Sequence, residues 1–166
     1  MIRPFEPSDI PALHALLTSN RWEYFIDPVI DEEGLKVRDE KYFLSETNQT
    51  LISLNNDGEL KGYIRFFDIK NSDDDAPDFI VSVDENARGK GIGTELVREG
   101  VKYIFNKYDQ IRRIEATTRI DNVPMQKVFE AAGFTHEATY RKAWKIRGGE
   151  HVDAFGYGIL KEEVRL

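Results

Sequence analysis

The chain of 166 residues has no cysteine. That excludes disulfides, thiolate metal sites and cysteine nucleophiles together, and leaves the core to packing alone. Long apolar runs are also missing: no stretch of some 18 hydrophobic residues occurs, so no membrane-spanning helix is expected. The charged Arg3 close behind Met1 argues against a secretory leader, and the expected address is cytoplasmic. Basic charge is in short supply, with 23 Lys and Arg against 30 Asp and Glu and a net charge of -7. A general grip on nucleic-acid phosphates is therefore not expected, whereas cationic small molecules are mildly favoured. The three histidines, His14, His136 and His151, show no metal-ligand spacing, and Asp73-Asp74-Asp75 fits no EF-hand loop, so the expectation is no metal. With no internal repeat, low-complexity tract or linker, residues 1–166 read as a single domain.

What is present has clear periodicity in places. Ile2 to Phe5 suits a short strand, and Ser8-Asp9 with Pro11 suits a helix start, followed by Ile10, Leu13, Leu16 and Leu17 at helical spacing until about Asn20. The stretch from Arg21 to Glu46 is less regular; Asp27-Pro28 and Asp31 to Gly34 precede a second helix. Thr50 to Leu54 and Leu60 to Ile69 read as strands joined by the hairpin signal Asn55-Asn56-Asp57-Gly58, and Phe79 to Val83 follows as a third after the polar turn Asn71 to Pro77. Short connections imply an antiparallel meander. Gly93, Leu96, Val97, Gly100, Val101, Ile104 and Phe105 form one apolar helix face. Ile111 to Ile120 reads as a strand, Val123 to Ala132 as a helix closed by Gly133, and Thr135 to Ile146 with His151 to Leu160 as a last hairpin around Arg147-Gly148-Gly149.

The stretch with most chemistry joins the strand Phe79 to Val83 to the long helix through Arg88-Gly89-Lys90-Gly91-Ile92-Gly93-Thr94. A strand that delivers a glycine-rich turn into a helix N-terminus gathers open backbone N–H groups and the positive end of the helix dipole, which suits phosphate. Arg88 and Lys90 add cationic donors. The P-loop reading fails because Gly91, rather than Ser or Thr, follows Gly89-Lys90. The dinucleotide fingerprint fails in both frames, since Thr94 and Leu96 stand where glycine is required.

Arg88-x-x-Gly91-x-Gly93 between a hydrophobic strand and a helix resembles the acyl-CoA motif of the GNAT N-acetyltransferase superfamily. Asn122 with Gly133-Phe134 resembles its second cofactor motif, and Tyr140, Arg147 to Gly149, Asp153 and Tyr157 to Glu163 resemble the branch with ribosomal-protein N-terminal acetyltransferases and related drug and polyamine acetylating enzymes. The resemblance implies an α/β (α+β) fold: a mixed, mostly antiparallel sheet splayed between its fourth and fifth strands, helices on both faces, and acetyl-CoA in the cleft as acyl donor. It also implies that the amides of Arg88, Gly89, Lys90, Gly91, Ile92, Gly93 and Thr94 hold the pyrophosphate. Backbone groups of Val81, Ser82 and Val83, together with Asn122, would meet the pantetheine arm. Glu85 stands where many relatives have proline, a departure expected to affect only the turn.

Amide formation from a thioester needs a neutral amine, a donor for the developing oxyanion, which a strand N–H near Val83 would supply, and a proton for the departing thiolate. By resemblance the acid would be a tyrosine at position 129 or a serine at position 125, but the chain has Phe129 and Met125 there. Phe129 is expected against cofactor or core. Glu115 is the candidate base through water, with pairing to Arg113 or Lys102 as its alternative. Tyr140 is the candidate acid or a lining of the acceptor pocket; Asp153 would bind a substrate cation or anchor the last hairpin. Trp22, Tyr24 and Phe25 would form one wall of the acceptor pocket, since in this fold the segment after the first helix borders the substrate side, or would belong to the core. The expected activity is acetyl transfer to a primary amine, either a peptide N-terminus, a polyamine or an aminoglycoside-like small amine, by a possible homodimer. The alternative is a regulatory acyl-CoA-binding protein of the same fold without catalysis.

Overall fold

The computed structural model describes residues 1–24, 31–69 and 77–165. Strands β1 (Ile2–Pro4), β2 (Gln49–Leu54), β3 (Leu60–Phe66) and β4 (Phe79–Val83) form an antiparallel sheet in the order β1-β2-β3-β4, the expected meander. The hairpin turn closes because the Asn55 carboxamide oxygen accepts from the amides of Asp57 and Glu59, at 3.0 and 2.8 Å, while Gly58 takes φ 81°. β3 stops at Phe66, short of the expected Ile69, because Asp68 adopts φ 48° and bends the chain away. Most of the following turn, Asp73 to Asp75 included, lies outside the described residues, as do Phe25 and Asp27-Pro28.

Strand alternation gives this sheet two apolar faces. Ile52 and Tyr63 meet α1 (Ile10–Ser19), which buries Leu13, Leu16 and Leu17, and the same cluster takes Leu35 of α2 (Glu32–Arg38). α2 continues into a π-type turn, Asp39–Phe43, whose buried Asp39 accepts from or pairs with His14 Nε2 at 2.7 Å. Leu51, Ile64 and Phe66 on the other face meet α3 (Ile92–Lys107), whose predicted apolar stripe is buried from Leu96 to Phe105. At Gly100 a Cβ would stand 3.1 Å from Ile64 and Phe66, so the small residue lets the helix lie close on the sheet.

Strands β5 (Arg113–Arg119), β6 (Thr135–Lys145) and β7 (His151–Leu160) form a second antiparallel sheet in the order β5-β7-β6. α4 (Val123–Ala132) lies between β5 and β6 in sequence and is closed by Gly133 at φ 97°. The two sheets touch where the Glu115 amide donates to the Pro77 carbonyl at 3.0 Å, just ahead of β4. Beyond that bond β4 and β5 share no ladder, and the sheet splits as expected. An aromatic cluster fills the base of the split: Phe129 lies 5.8 Å from Phe79, 5.7 Å from Phe134 and 5.1 Å from Tyr157, centroid to centroid.

Candidate functional site

A cleft of about 520 Å³ opens where β4 and β5 diverge. Its floor is the loop between β4 and α3. Asp84 starts that loop by accepting from the Asn86 amide at 3.0 Å, which caps a short 3-10 turn, Glu85–Ala87. Gly89 and Gly91 then take φ 74° and 82°, the left-handed region that glycine enters without strain. The first bond of α3 runs from the Glu95 amide to the Gly91 carbonyl, so the amides of Ile92, Gly93 and Thr94 have no carbonyl one turn behind them. They open into the cleft with the helix dipole behind them. A Cβ at Gly91 would meet nothing within 4 Å among the described residues, which leaves room for an anion over the loop; at Gly93 it would make ordinary contacts with Val83 and Val128, at 3.6 and 3.5 Å.

The edge of β4 supplies a second set of backbone groups, open except for the Val83 carbonyl, which accepts from Arg88 Nε at 3.3 Å. β3 and β4 pair antiparallel with Gly62 opposite Val83 and Ile64 opposite Val81, and the Asp84 amide donates to the Lys61 carbonyl while that of Phe67 donates to Asp78. In such a ladder the bonded pairs alternate. Ser82 therefore spends its backbone groups on Tyr63, and Val81 and Val83 turn theirs towards the split. The expectation that Ser82 offers its backbone to the pantetheine arm is corrected by this pairing: it lines the cleft as a buried side chain, whose Oγ has no hydrogen-bond partner among the described residues.

α4 forms one side wall through Asn122, Pro124, Met125, Lys127 and Val128. The Asn122 Oδ1 caps α4 by accepting from the Met125 amide at 3.3 Å, which leaves its Nδ2 as the donor available to the cleft. Trp22, Glu23 and Tyr24 form the opposite wall. Trp22 is fixed by its Nε1, which donates to the Leu17 carbonyl at 2.8 Å. Tyr24 lies under the Arg119 guanidinium, 5.2 Å from its ring centroid, and Arg119 is held in turn by a bidentate pair with Asp121 at 2.6 and 2.9 Å. Desolvation, assisted by Glu23 and Asp121, pushes the Tyr24 phenol above its ordinary value, against smaller opposing effects of Arg119 and Arg88. It is a neutral O–H donor at pH 7.

Several expected residues fall elsewhere. Phe129 is sealed in the aromatic cluster and does not line the cleft. The Lys90 side chain folds back to donate to the Asn86 carbonyl at 3.0 Å and is likewise not part of the lining. Glu115 also stands outside it: its carboxylate accepts from Arg113 Nε at 2.9 Å, the alternative pairing, whereas Lys102 pairs with Glu99. Arg113 bridges on to Glu137, and these two carboxylates hold its guanidinium above its usual value. Tyr140 packs over Gly156, where a Cβ would come within 2.7 Å of its ring, and it lines a separate shallow hollow on β6 with Asp153. Asp153 anchors the last hairpin by accepting from the Lys142 amide at 2.8 Å. The sequence reading missed Glu23, Ala87, Pro124, Lys127 and Val128; Pro124, Met125 and Val128 share the α4 face that follows Asn122, a spacing signal that was available.

Comparison with known proteins agrees with this fold. A family model described as "Acetyltransferase (GNAT) domain" matches residues 1–135. L-amino acid N-acetyltransferase AaaT of Escherichia coli is 36% identical over 84 residues, a segment that spans about half of each chain (51% of both). The uncharacterized N-acetyltransferase YnaD of Bacillus subtilis is 27% identical over 164 residues, covering 98% of this chain and 94% of its own. Among solved structures, the spermidine N-acetyltransferase of Vibrio cholerae in complex with CoA and spermine superposes with a TM-score of 0.83 at 20% identity, covering 98% of this chain and 96% of its own. The ribosomal-protein-S5-alanine acetyltransferase of Vibrio fischeri superposes with a TM-score of 0.82 at 19% identity, covering 99% and 94%. The chain belongs to the GNAT family of N-acetyltransferases, whose acyl-donor cosubstrate is acetyl-CoA.

Proposed function

We propose that this protein transfers an acetyl group from acetyl-CoA to a primary amine, either a peptide N-terminus or a small polyamine-like or aminoglycoside-like amine. The observation that carries this reading is the coincidence of two sets of open backbone groups in one cleft, the α3 N-terminus and the Val81 and Val83 edge of β4. The first set, with Arg88 and Lys127 at the mouth, suits a pyrophosphate; the second suits the amide-bearing pantetheine arm.

Bound acetyl-CoA supplies a thioester carbon for attack. The residues then have three tasks. Glu23, the carboxylate in the lining, offers a place for the amine's cation at the mouth; an amine with a pKa of about 10.4 gives one proton to solvent there before its nitrogen forms the new C–N bond, and the second N–H proton passes to solvent from the tetrahedral intermediate. An N–H of Val81 or Val83 aimed into the split donates to the oxyanion as charge develops. As the C–S bond breaks, the thiolate takes the phenolic proton of Tyr24, which solvent restores. Tyr24 takes this role because its phenol is in the cleft, whereas position 129 holds no hydroxyl and Tyr140 lies over Gly156.

The test is to mix the protein with acetyl-CoA and a panel of peptide N-termini, polyamines and aminoglycosides, and to follow free thiol. Thiol release that depends on one of these amines is the expected result. Tight acetyl-CoA binding with no turnover on any of them would contradict it and favour a regulatory acyl-CoA-binding protein.

A further inference from the structure

The end of α1 is tied to the phosphate loop by bonds that nothing in the loop motif requires. Asn20, directly after α1, donates its Nδ2 to the Leu16 carbonyl at 2.8 Å and accepts from the Glu85 amide with its Oδ1 at 2.5 Å. The Glu85 carboxylate accepts from the Arg21 amide at 3.1 Å. Arg88 completes the tie: its Nη2 donates to the Arg21 carbonyl and its Nε to the Val83 carbonyl, both at 3.3 Å. The backbone on both sides of Arg21 is thus held by the loop that carries the open amides, and the next residues along are the cleft wall Trp22 to Tyr24.

We propose that Asn20, Glu85 and Arg88 form a latch through which the phosphate loop sets the position of the Trp22–Tyr24 wall, so that Glu85 is a positioning residue for acetyl transfer. The proposal rests on the reading of the cleft as the acetyl-CoA site. Arg88 belongs to both halves. An anion on the loop fixes its guanidinium, and a fixed guanidinium holds the Arg21 carbonyl, so occupation of the donor side stiffens the wall that carries Tyr24. Glu85 thereby acquires a role beyond the turn. Proline at that position would preserve the turn, since Asp84 before it has ψ 128°, away from the helical region that proline disfavours in its predecessor, and Glu85 is the first residue of the 3-10 turn. It would remove the amide that Asn20 accepts from and the carboxylate that Arg21 donates to.

Amide hydrogen exchange of the segment 20–24, measured with and without acetyl-CoA, reads the latch without needing turnover. In the wild type, saturating acetyl-CoA should slow exchange at Arg21 and Trp22 by about fivefold or more. In Glu85→Pro that slowing should be lost while the acetyl-CoA Kd stays within about twofold. Glu85→Ala, which keeps the amide bond to Asn20, should lose part of it, and Glu85→Gln, which keeps an oxygen acceptor, should retain most of it. With an amine that is turned over, Glu85→Pro should raise its KM about fivefold with a smaller change in kcat, a split that general destabilisation does not produce. Equal slowing in wild type and Glu85→Pro, or no slowing in a wild type that binds acetyl-CoA, would overturn the latch. A wild type that binds no acetyl-CoA would instead overturn the reading of the cleft, and the latch with it.

Discussion

Two sides of the cleft differ in how they are made: the donor side, formed by its floor and the β4 edge, and the wall Trp22 to Tyr24. On the donor side, the groups that face the cleft are mostly backbone: the first amides of α3 and the free edge of β4, set by glycine conformations and by strand pairing. On the opposite side, Trp22 to Tyr24 depend on side-chain bonds between residues far apart in sequence, Asn20 and Arg21 with Glu85, and Arg119 over Tyr24. A backbone-built wall tolerates any side chain that permits its dihedrals, so it is written in a short local motif. A wall built from side chains is written in pairs that local spacing does not reveal. In the function proposed above, acetyl-CoA meets the first kind and the acceptor amine the second.

If the donor wall works through backbone, the largest effect should come from breaking its conformation. Gly91→Glu forces a side chain into φ 82° and sets a carboxylate over the anion site; calorimetry should find the acetyl-CoA Kd weakened by at least about 100-fold. Next is Phe129→Ala, which empties the aromatic cluster beneath the cleft and should cost about 3–5 kcal/mol in urea unfolding. A loss of acetyl-CoA affinity in a Phe129 variant of unchanged stability would return that residue to the cleft. Tyr24→Phe separates the walls by function: kcat should fall about 100-fold with the acetyl-CoA Kd unaltered, because the phenol moves a proton and holds no part of the donor. The smallest effect belongs to Glu115→Gln. Its carboxylate is spent on Arg113, so kcat/KM should change by less than about twofold and keep its pH profile, whereas loss of a profile limb would reinstate Glu115 as base.

The same contrast explains what the sequence could disclose. The meander, the long helix and the last hairpin were legible because their periods of 2 and 3.6 are local, and the Arg88 to Thr94 loop because its glycines are needed for dihedrals seen at Gly89 and Gly91. Asn122 was legible for the same reason, as the cap of α4. Glu115 and Tyr140 were assigned by resemblance, which does not say whether a strand residue meets the cleft or a neighbour; for Glu115 the alternative pairing with Arg113 is the one observed, and Tyr140 lies over Gly156. Ser82 was misread at the level of ladder phase, which depends on the partner strand β3. Glu85 read as a turn residue because Asn20, its partner, is 65 positions away. Trp22 and Tyr24 were found as an aromatic cluster after the first helix, but the anchors that make them a wall, Leu17 and Arg119, carried no sequence signal.

Titration of acetyl-CoA into the protein, followed through backbone amide resonances, tests the central claim most directly. Binding in this cleft predicts the largest shifts at Ile92, Gly93 and Thr94 and at Val81 and Val83, with a smaller one at Ser82, whose amide is turned towards β3. Shifts centred instead on Tyr140 and Asp153, or the absence of any shift at the α3 N-terminus at saturation, would contradict the account.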